Sequence, residues 1–452
     1  MGIEAGASGQ LCSQAGAWEQ GGKPGGRSKG KETMAEKPIG LEEARERTRR
    51  LATPKPAETI SLSEALGRVL AEDVKAPRDF PPEARSRRDG FAVRSGDTLG
   101  ATRERPVLLE RLPGLLAAGH FPSIALKAHQ CARVVTGAPL PDGADAVIAQ
   151  EHVKAQGSWI VVSEPFAPGS HVIPAGEEAR THRTVLHRGT CLNPTALAIL
   201  VNLGVGKTTV FGKPSAALLA TGDEVAEPEE KAPGPGVFAS GRYILSLLVR
   251  LWGGNADSLG IARDDPDEIA RRLDDARADL VVTTGGTGHG ERDLIAQVWN
   301  SLGIAPVFQR IRATPGHRTA LGCRGSQIFL ALSGNPWAAR VIFQELAAPL
   351  LAAWQGIQAL ERFEVPAVIT EGVTKRRGET RAIPGVCDFS TAPPRFHPSR
   401  SAPGEYLESI GFANAYVLLE EGVDHLPDGG TVTVRFFDLP LWVETRLKAS
   451  NP

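Results

Sequence analysis

Between residues 214 and 354 short β-prone apolar runs alternate with amphipathic helical segments, and this alternation constrains the fold more than any other feature of the chain. Strands are expected at 216–220, 257–261, 280–284 and 327–332, and helices at 242–252, 266–276, 294–302 and 337–353. Strands separated by helices can join one sheet only as parallel neighbours, so the segment reads as a doubly wound, mostly parallel α/β sheet. Ligands of such sheets bind outside the carboxyl ends of the strands. The residues to inspect are therefore Thr221-Gly222-Asp223-Glu224, Arg263-Asp264-Asp265-Pro266, the run from Gly285 through Gly286, Gly288 and Glu291 to Asp293, and Ser333-Gly334-Asn335-Pro336. Glycines let backbone N–H groups approach an anion, and carboxylates suit a hard divalent cation, so these strand ends describe a phosphate-plus-magnesium site. Each has a plainer reading as well: Asp265 before Pro266 can be a helix N-cap, and Gly285-Gly286 a tight turn. The glycine spacing fits neither a dinucleotide fingerprint nor a P-loop, because no Gly-Lys-Ser/Thr follows.

The flanking texture differs. Residues 1–37 are Gly-rich with few aliphatic side chains and are expected to be disordered; Met34, the only methionine besides Met1, is an expected alternative start. A charged helix is expected at 41–51, and Ser61 with Glu64 forms a capping box that predicts a second helix through Leu70. From about 80 to 174 short β-prone runs at 91–93, 132–135, 146–148 and 159–162 are broken by Pro and Gly turns. Asn193, Pro194 and Gly204 delimit a helix. Beyond Arg362, strands at 367–370, 415–419 and 431–436 predict a small all-β domain.

Charge excludes some functions. Lys plus Arg is 51 and Asp plus Glu 52, a net charge of −1, so nothing draws the whole molecule to nucleic acid or an anionic membrane. No apolar run reaches the ~20 residues of a membrane span. The 5 cysteines lie far apart with no CxxC pair, which argues against a disulfide framework or structural zinc and favours a reducing cytoplasm.

Motifs in order along the chain carry a family resemblance: Arg88-Asp89-Gly90-Phe91-Ala92-Val93, Val135-Thr136-Gly137-Ala138-Pro139-Leu140-Pro141-Asp142-Gly143-Ala144-Asp145-Ala146-Val147, Gly176-Glu177-Glu178, Thr221-Gly222-Asp223-Glu224-Val225, Thr284 through Asp293, and Gly334-Asn335-Pro336. From about Pro38 to Leu441 the sequence resembles the molybdopterin molybdenumtransferases, the molybdenum insertases related to the gephyrin E domain. The resemblance implies a multi-domain α/β plus β protein: a disordered extension (1–37), a helical linker domain (38–75 plus 175–206), a β-rich domain (76–174), a molybdopterin-binding α/β domain (207–354) and a C-terminal β-barrel (355–445). It implies a cytoplasmic homodimer whose cleft is shared, so that Asp89, Thr136 and Glu178 would face the partner subunit's Asp293, and contacts with molybdoenzymes or other cofactor-synthesis proteins. It also implies the reaction: adenylylated molybdopterin and molybdate are taken up, the phosphoanhydride is cleaved with magnesium, AMP leaves, and molybdenum stays on the dithiolene. By motif position Glu224, Asp264 and Asp293 would serve as metal ligands and catalytic acids together with Asp89 and Glu178. Thr136, Gly285, Gly286, Gly288, Arg318, Asn335 and Pro336 would bind substrate.

The sequence also departs from that family. Its usual Asn-Ser-Ala-Met-Asp-Gly-Tyr-Ala reads Arg85-Ser86-Arg87-Arg88-Asp89-Gly90-Phe91-Ala92, its Asn-Ser-Asn reads Ala239-Ser240-Gly241, and its Lys-Pro-Gly-Lys-Pro reads Thr314-Pro315-Gly316-His317-Arg318. Either the arginines Arg85, Arg87, Arg88, Arg310, Arg312 and Arg318 replace lost lysines and amides at an oxyanion, or the chain is a non-catalytic pterin-binding paralogue or scaffold of the same fold. The triplet 85–88 can also be a solvated charge run.

Overall fold

The structure, a computed structural model, describes residues 37–230, 234–287, 294–357, 360, 362–399 and 406–441. The described residues form two compact units, one drawn from 37–71, 189–197 and 207–441 and the other from 72–188 and 198–206.

In the first unit the alternation yields the expected sheet. Strands Asn255–Ala262, Ser215–Thr221, Leu280–Thr284 and Gln327–Leu332 lie side by side and parallel, in that spatial order. Their side chains alternate between two helical layers, as a sheet buried on both faces requires. Leu218, Leu280 and Val282 pack with Leu245, Leu248 and Trp252 on one side. Leu219, Val281 and Phe329 meet Ile269, Leu273, Val298 and Trp299 on the other. Full burial of such a side chain contributes about 1.5–3 kcal/mol, and both layers fix where the strand ends emerge. Two further strands escaped the sequence reading: Ala320–Arg324 pairs antiparallel with Gln327–Leu332, and Ala305–Phe308, at the edge, pairs antiparallel with Ala320–Arg324.

The helix expected at 337–353 is three pieces: Pro336–Ile342, a π-helical turn Phe343–Ala347, and Ala348–Trp354. Pro349 explains the break. It lacks the N–H that would bond the Glu345 carbonyl one turn back, and its ring crowds that carbonyl, so the ladder widens by a residue there.

The C-terminal strands close on themselves. Thr380–Asp388, Arg395–Pro398, Glu364–Ile369, Thr431–Phe436 and Ala415–Leu419 pair in succession, and the last returns to the first, giving a five-stranded barrel around Ile369, Phe396, Val417 and Val434. The helix at 41–50 is present as Leu41–Arg50. The second opening helix is not. Ala57–Ser61 is a strand antiparallel to Lys207–Phe211, and only a 3₁₀ turn, Leu62–Glu64, follows. Ser61 makes no capping bond to the backbone, and its hydroxyl lies 2.7 Å from that of Ser63. Val69 and Leu70, at the end of the expected helix, instead form β-bridges with Cys191 and Val210 and are fully buried, so tertiary pairing overrides a short capped helix.

The second unit is built on a six-stranded sheet in the order Ala146–Ala149, Gly90–Val93, Gln130–Val134, Val107–Leu116, Trp159–Val162, Val153–Gln156. The texture indicated four of these strands but neither Val153–Gln156 nor Val107–Leu116, whose Leu108 and Leu115 face solvent and blur the alternation. Cys131 and Cys387 are buried free thiols, and Cys191 is buried with its thiol donating to the Gly67 carbonyl at 3.6 Å; burial pushes the Cys131 thiol up to about 12. Among the described residues no helix is long and apolar enough to cross a membrane.

Candidate active-site clusters

In the first unit the strand ends enclose a cleft of about 430 Å³ lined by Thr221, Gly222, Glu224, Asp264, Thr284, Gly285, Gly286, Thr287, Arg318, Ser333 and Gly334. The glycines are required rather than permitted. Gly285 has φ +97°, and a Cβ there would stand 2.3 Å from the Thr221 carbonyl oxygen. That tight crossing, anchored by Gly285 N–H on the Leu332 carbonyl at 3.1 Å, aims the following backbone into the cleft. Arg318 donates to the Thr287 carbonyl at 3.0 Å and so brings its cation to the same wall.

The opposite wall is acidic. Asp264 N–H donates to Asp223 Oδ1 at 3.2 Å, and Arg263 donates to the Asp223 carbonyl at 2.7 Å, which ties two strand ends together. Burial, and then repulsion from Asp223 and Glu224, raises the Asp264 carboxyl above its ordinary value. Asp265, by contrast, accepts the Asp267 N–H at 3.0 Å with Pro266 at the first helical position, so it is the N-cap. Adjacent carboxylates thus divide into a helix cap and a cleft acid, a division the sequence left open.

The second unit gathers another set of motif residues. Asp89 Oδ1 accepts both the Thr136 N–H at 2.7 Å and its hydroxyl at 2.9 Å, and these bonds hold its carboxyl below the usual range. The same bonding recurs between Asp79 and Thr181, which shows that it also serves as plain turn architecture. The Thr136 hydroxyl is therefore committed to Asp89. Strand Arg85–Ser86 pairs with Val172–Ile173, Arg87 pairs with Glu177, and Arg85 pairs with Glu83 at 2.8 Å. Arg88 and Glu178 are exposed.

The structure thus brings Glu224, Asp264, Gly285, Gly286 and Arg318 to one cleft, and Asp89 and Thr136 together in the other unit. Asn335 and Pro336 do not line the cleft; Asn335 Oδ1 accepts the Ala338 N–H at 3.1 Å and caps the helix Pro336–Ile342. Gly288 and Asp293 lie outside the described residues, and among the described residues no group of three or more His, Cys, Asp or Glu is arranged to hold a metal ion. Sequence reasoning missed Val237 and Phe238, which line the cleft and are 52% and 48% exposed. Their only signal is an apolar pair placed between a Gly-Pro-Gly turn and a helix start.

The chain is similar to known proteins along most of its length. Residues 39–204 match the family model described as MoeA N-terminal region (domain I and II), and residues 217–353 match the probable molybdopterin binding domain. A molybdopterin molybdenumtransferase of Staphylococcus aureus (strain Mu50) is 29% identical over 401 residues, spanning 88% of this chain and 95% of its own length. One from Staphylococcus epidermidis is 28% identical over 399 residues with the same coverage. Two structures of a molybdopterin biosynthesis MoeA protein from Pyrococcus horikoshii superpose with TM-scores of 0.79 and 0.76, at 29% and 27% identity. Each covers 89% of this chain, and 99% and 100% of their own.

Proposed function

From the premise that this chain belongs to the MoeA-type molybdopterin molybdenumtransferase family, we propose that it acts in molybdenum cofactor biosynthesis as the insertase itself. It takes adenylylated molybdopterin and molybdate, cleaves the phosphoanhydride, releases AMP and leaves molybdenum on the dithiolene. The observation that carries this reading is the strand-end cleft, in which two carboxylates, Glu224 and Asp264, lie opposite a glycine loop and Arg318.

The donor set fits magnesium. Hard oxygen ligands suit it, and the mutual repulsion that raises the Asp264 carboxyl is of the kind a divalent cation relieves. Glu224 and Asp264 would hold it, with Asp293 supplying a further carboxylate by its motif position. Bound there, magnesium would draw charge off the phosphoanhydride as it breaks. The chain's own contribution is positional. Backbone N–H groups after Gly285 receive phosphate oxygens, Arg318 offers a planar fork to a tetrahedral oxyanion, and the walls of the cleft hold the reacting groups together.

Asp89, with one carboxylate oxygen left over from its bonds to Thr136, and the exposed Glu178 would act on a partner subunit's cleft in a homodimer. Mixing Asp89→Ala with Asp264→Ala chains should then restore activity, because each heterodimer regains one intact cleft. A monomer by light scattering, or no rescue after verified subunit exchange, counts against the shared cleft.

A second reading, a pterin-binding paralogue without turnover, is favoured by the pairing of Arg85 and Arg87 with Glu83 and Glu177, which occupies cations that an oxyanion would need. Incubation with adenylylated molybdopterin, magnesium and molybdate decides between them. Release of AMP with formation of active cofactor is expected. Tight pterin binding with no AMP release would leave the paralogue.

A further inference from the structure

The cleft has a wall for which neither the acids nor the glycine loop accounts. Val237–Phe238 forms a short strand parallel to Val225–Ala226. The Val237 N–H donates to the Glu224 carbonyl at 2.9 Å and the Ala239 N–H to the Ala226 carbonyl at 3.1 Å, so this strand is fixed to the segment that carries the cleft acid. Yet Phe238 is 48% exposed while lining the cleft. The sheet core therefore does not explain the ring: Phe238 belongs to neither hydrophobic layer of the sheet.

We propose that Phe238, with Val237 beside it, is the stacking platform for the planar heteroaromatic ring of the bound substrate, an affinity-determining surface distinct from the acids and the glycine loop. The inference rests on the insertase reading above. Charge places the parts. Backbone N–H groups and a cation attract phosphate oxygens, so a substrate phosphate belongs at the Gly285–Thr287 turn, where Arg318 bonds the Thr287 carbonyl. The remaining wall is apolar and offers an aromatic face to whatever uncharged, flat group the phosphate tethers. An aromatic face receives such rings with little regard to their edge chemistry, because every heterocycle has a π-face. The adenine and the pterin of an adenylylated molybdopterin share this chemistry.

Titration calorimetry on the full-length protein tests the inference, with adenylylated molybdopterin, AMP and a pterin phosphate as separate probes. Loss of a base–aromatic stack costs about 5- to 150-fold in affinity, so Phe238→Ala should weaken adenylylated molybdopterin to that extent, Phe238→Trp should retain or improve it, and Phe238→Leu should fall close to Phe238→Ala. An unchanged thermal midpoint in all of them, as expected for a half-exposed side chain, separates this from misfolding. If the loss appears with AMP, adenine is the stacked ring; if with the pterin phosphate, the pterin is. Wild-type affinity in Phe238→Ala and Phe238→Leu overturns the platform while leaving the insertase reading intact. Failure of the wild-type protein to bind adenylylated molybdopterin overturns both.

Discussion

Glu345 and Asp264 carry the same carboxylate in opposite surroundings. Glu345 sits fully buried in the π-helical turn. Its oxygens are met by Arg45, by Arg435 at 3.2 Å, by Arg362 at 3.9 Å and by the Tyr416 hydroxyl. Burial alone would push its pKa up, but the charges of Arg362, Arg45 and Arg435 and the Tyr416 hydrogen bond outweigh it and hold the carboxyl at about 2. Burial and the neighbouring negative charge push the Tyr416 hydroxyl up in turn. Asp264 stands at an open strand end beside Asp223 and Glu224, with no cation recorded on its carboxylate among the described residues, and its pKa moves the other way. The first arrangement joins the helix Leu41–Arg50, the broken helix and the barrel, and spends its charges on structure. The second leaves charge unsatisfied, which a fold tolerates where a ligand arrives to satisfy it.

The sharpest way to break the comparison is at Glu345. Glu345→Gln leaves buried guanidinium groups without their counter-charge and should cost about 3–5 kcal/mol in urea unfolding; a loss below 1 kcal/mol would make the cluster ornamental. The same variant carries a pH signature. A folded pKa depressed to about 2 contributes stability that is present above the ordinary carboxyl value of ~4.3 and is lost as pH falls from there toward 2. The wild-type unfolding free energy should therefore fall along that acid arm, and Glu345→Gln should flatten it.

Asp264→Asn should do the reverse. Removing a repelling charge leaves the unfolding midpoint unchanged or slightly higher. Turnover falls by about 10²- to 10³-fold, the usual loss when a group stabilising developing charge is removed. Equal turnover in the folded variant would return Asp264 to the surface.

The smallest effect sharpens the contrast between chain neighbours. Asp265→Ala removes the N-cap and should cost about 0.5–2 kcal/mol of stability, while turnover stays within a few-fold of wild type. A deep loss of turnover there would mean that cap and cleft acid are not separable.

What the sequence determined by itself was whatever rests on local periodicity and local chemistry. The parallel sheet follows from strands and helices alternating in order, Pro194 and Pro266 mark helix starts through their missing N–H, and the clusters at the strand ends follow from where such sheets bind ligands. Glu224, Asp264, Gly285 and Gly286 could be picked out on those grounds before any coordinates, whereas Arg318 was reached only through the family resemblance. What only the tertiary structure decided depends on which partners arrive from afar. The strand Ala57–Ser61 exists because Lys207–Phe211 comes to pair with it, and the helix expected from the Ser61 cap to Leu70 is replaced by a single 3₁₀ turn. That Asn335 caps a helix through its oxygen, which meets the Ala338 N–H, and that the Thr136 hydroxyl donates to Asp89 emerge only from the folded contacts. Glu345 was invisible in the sequence, since nothing in a helical stretch says that Arg45, Arg362 and Arg435 will converge on it from the amino-terminal helix and the barrel. Periodicity reports the face a side chain presents; the charge it meets is set by partners that arrive from other elements, as Arg45 does from 300 residues away and Arg435 from 90.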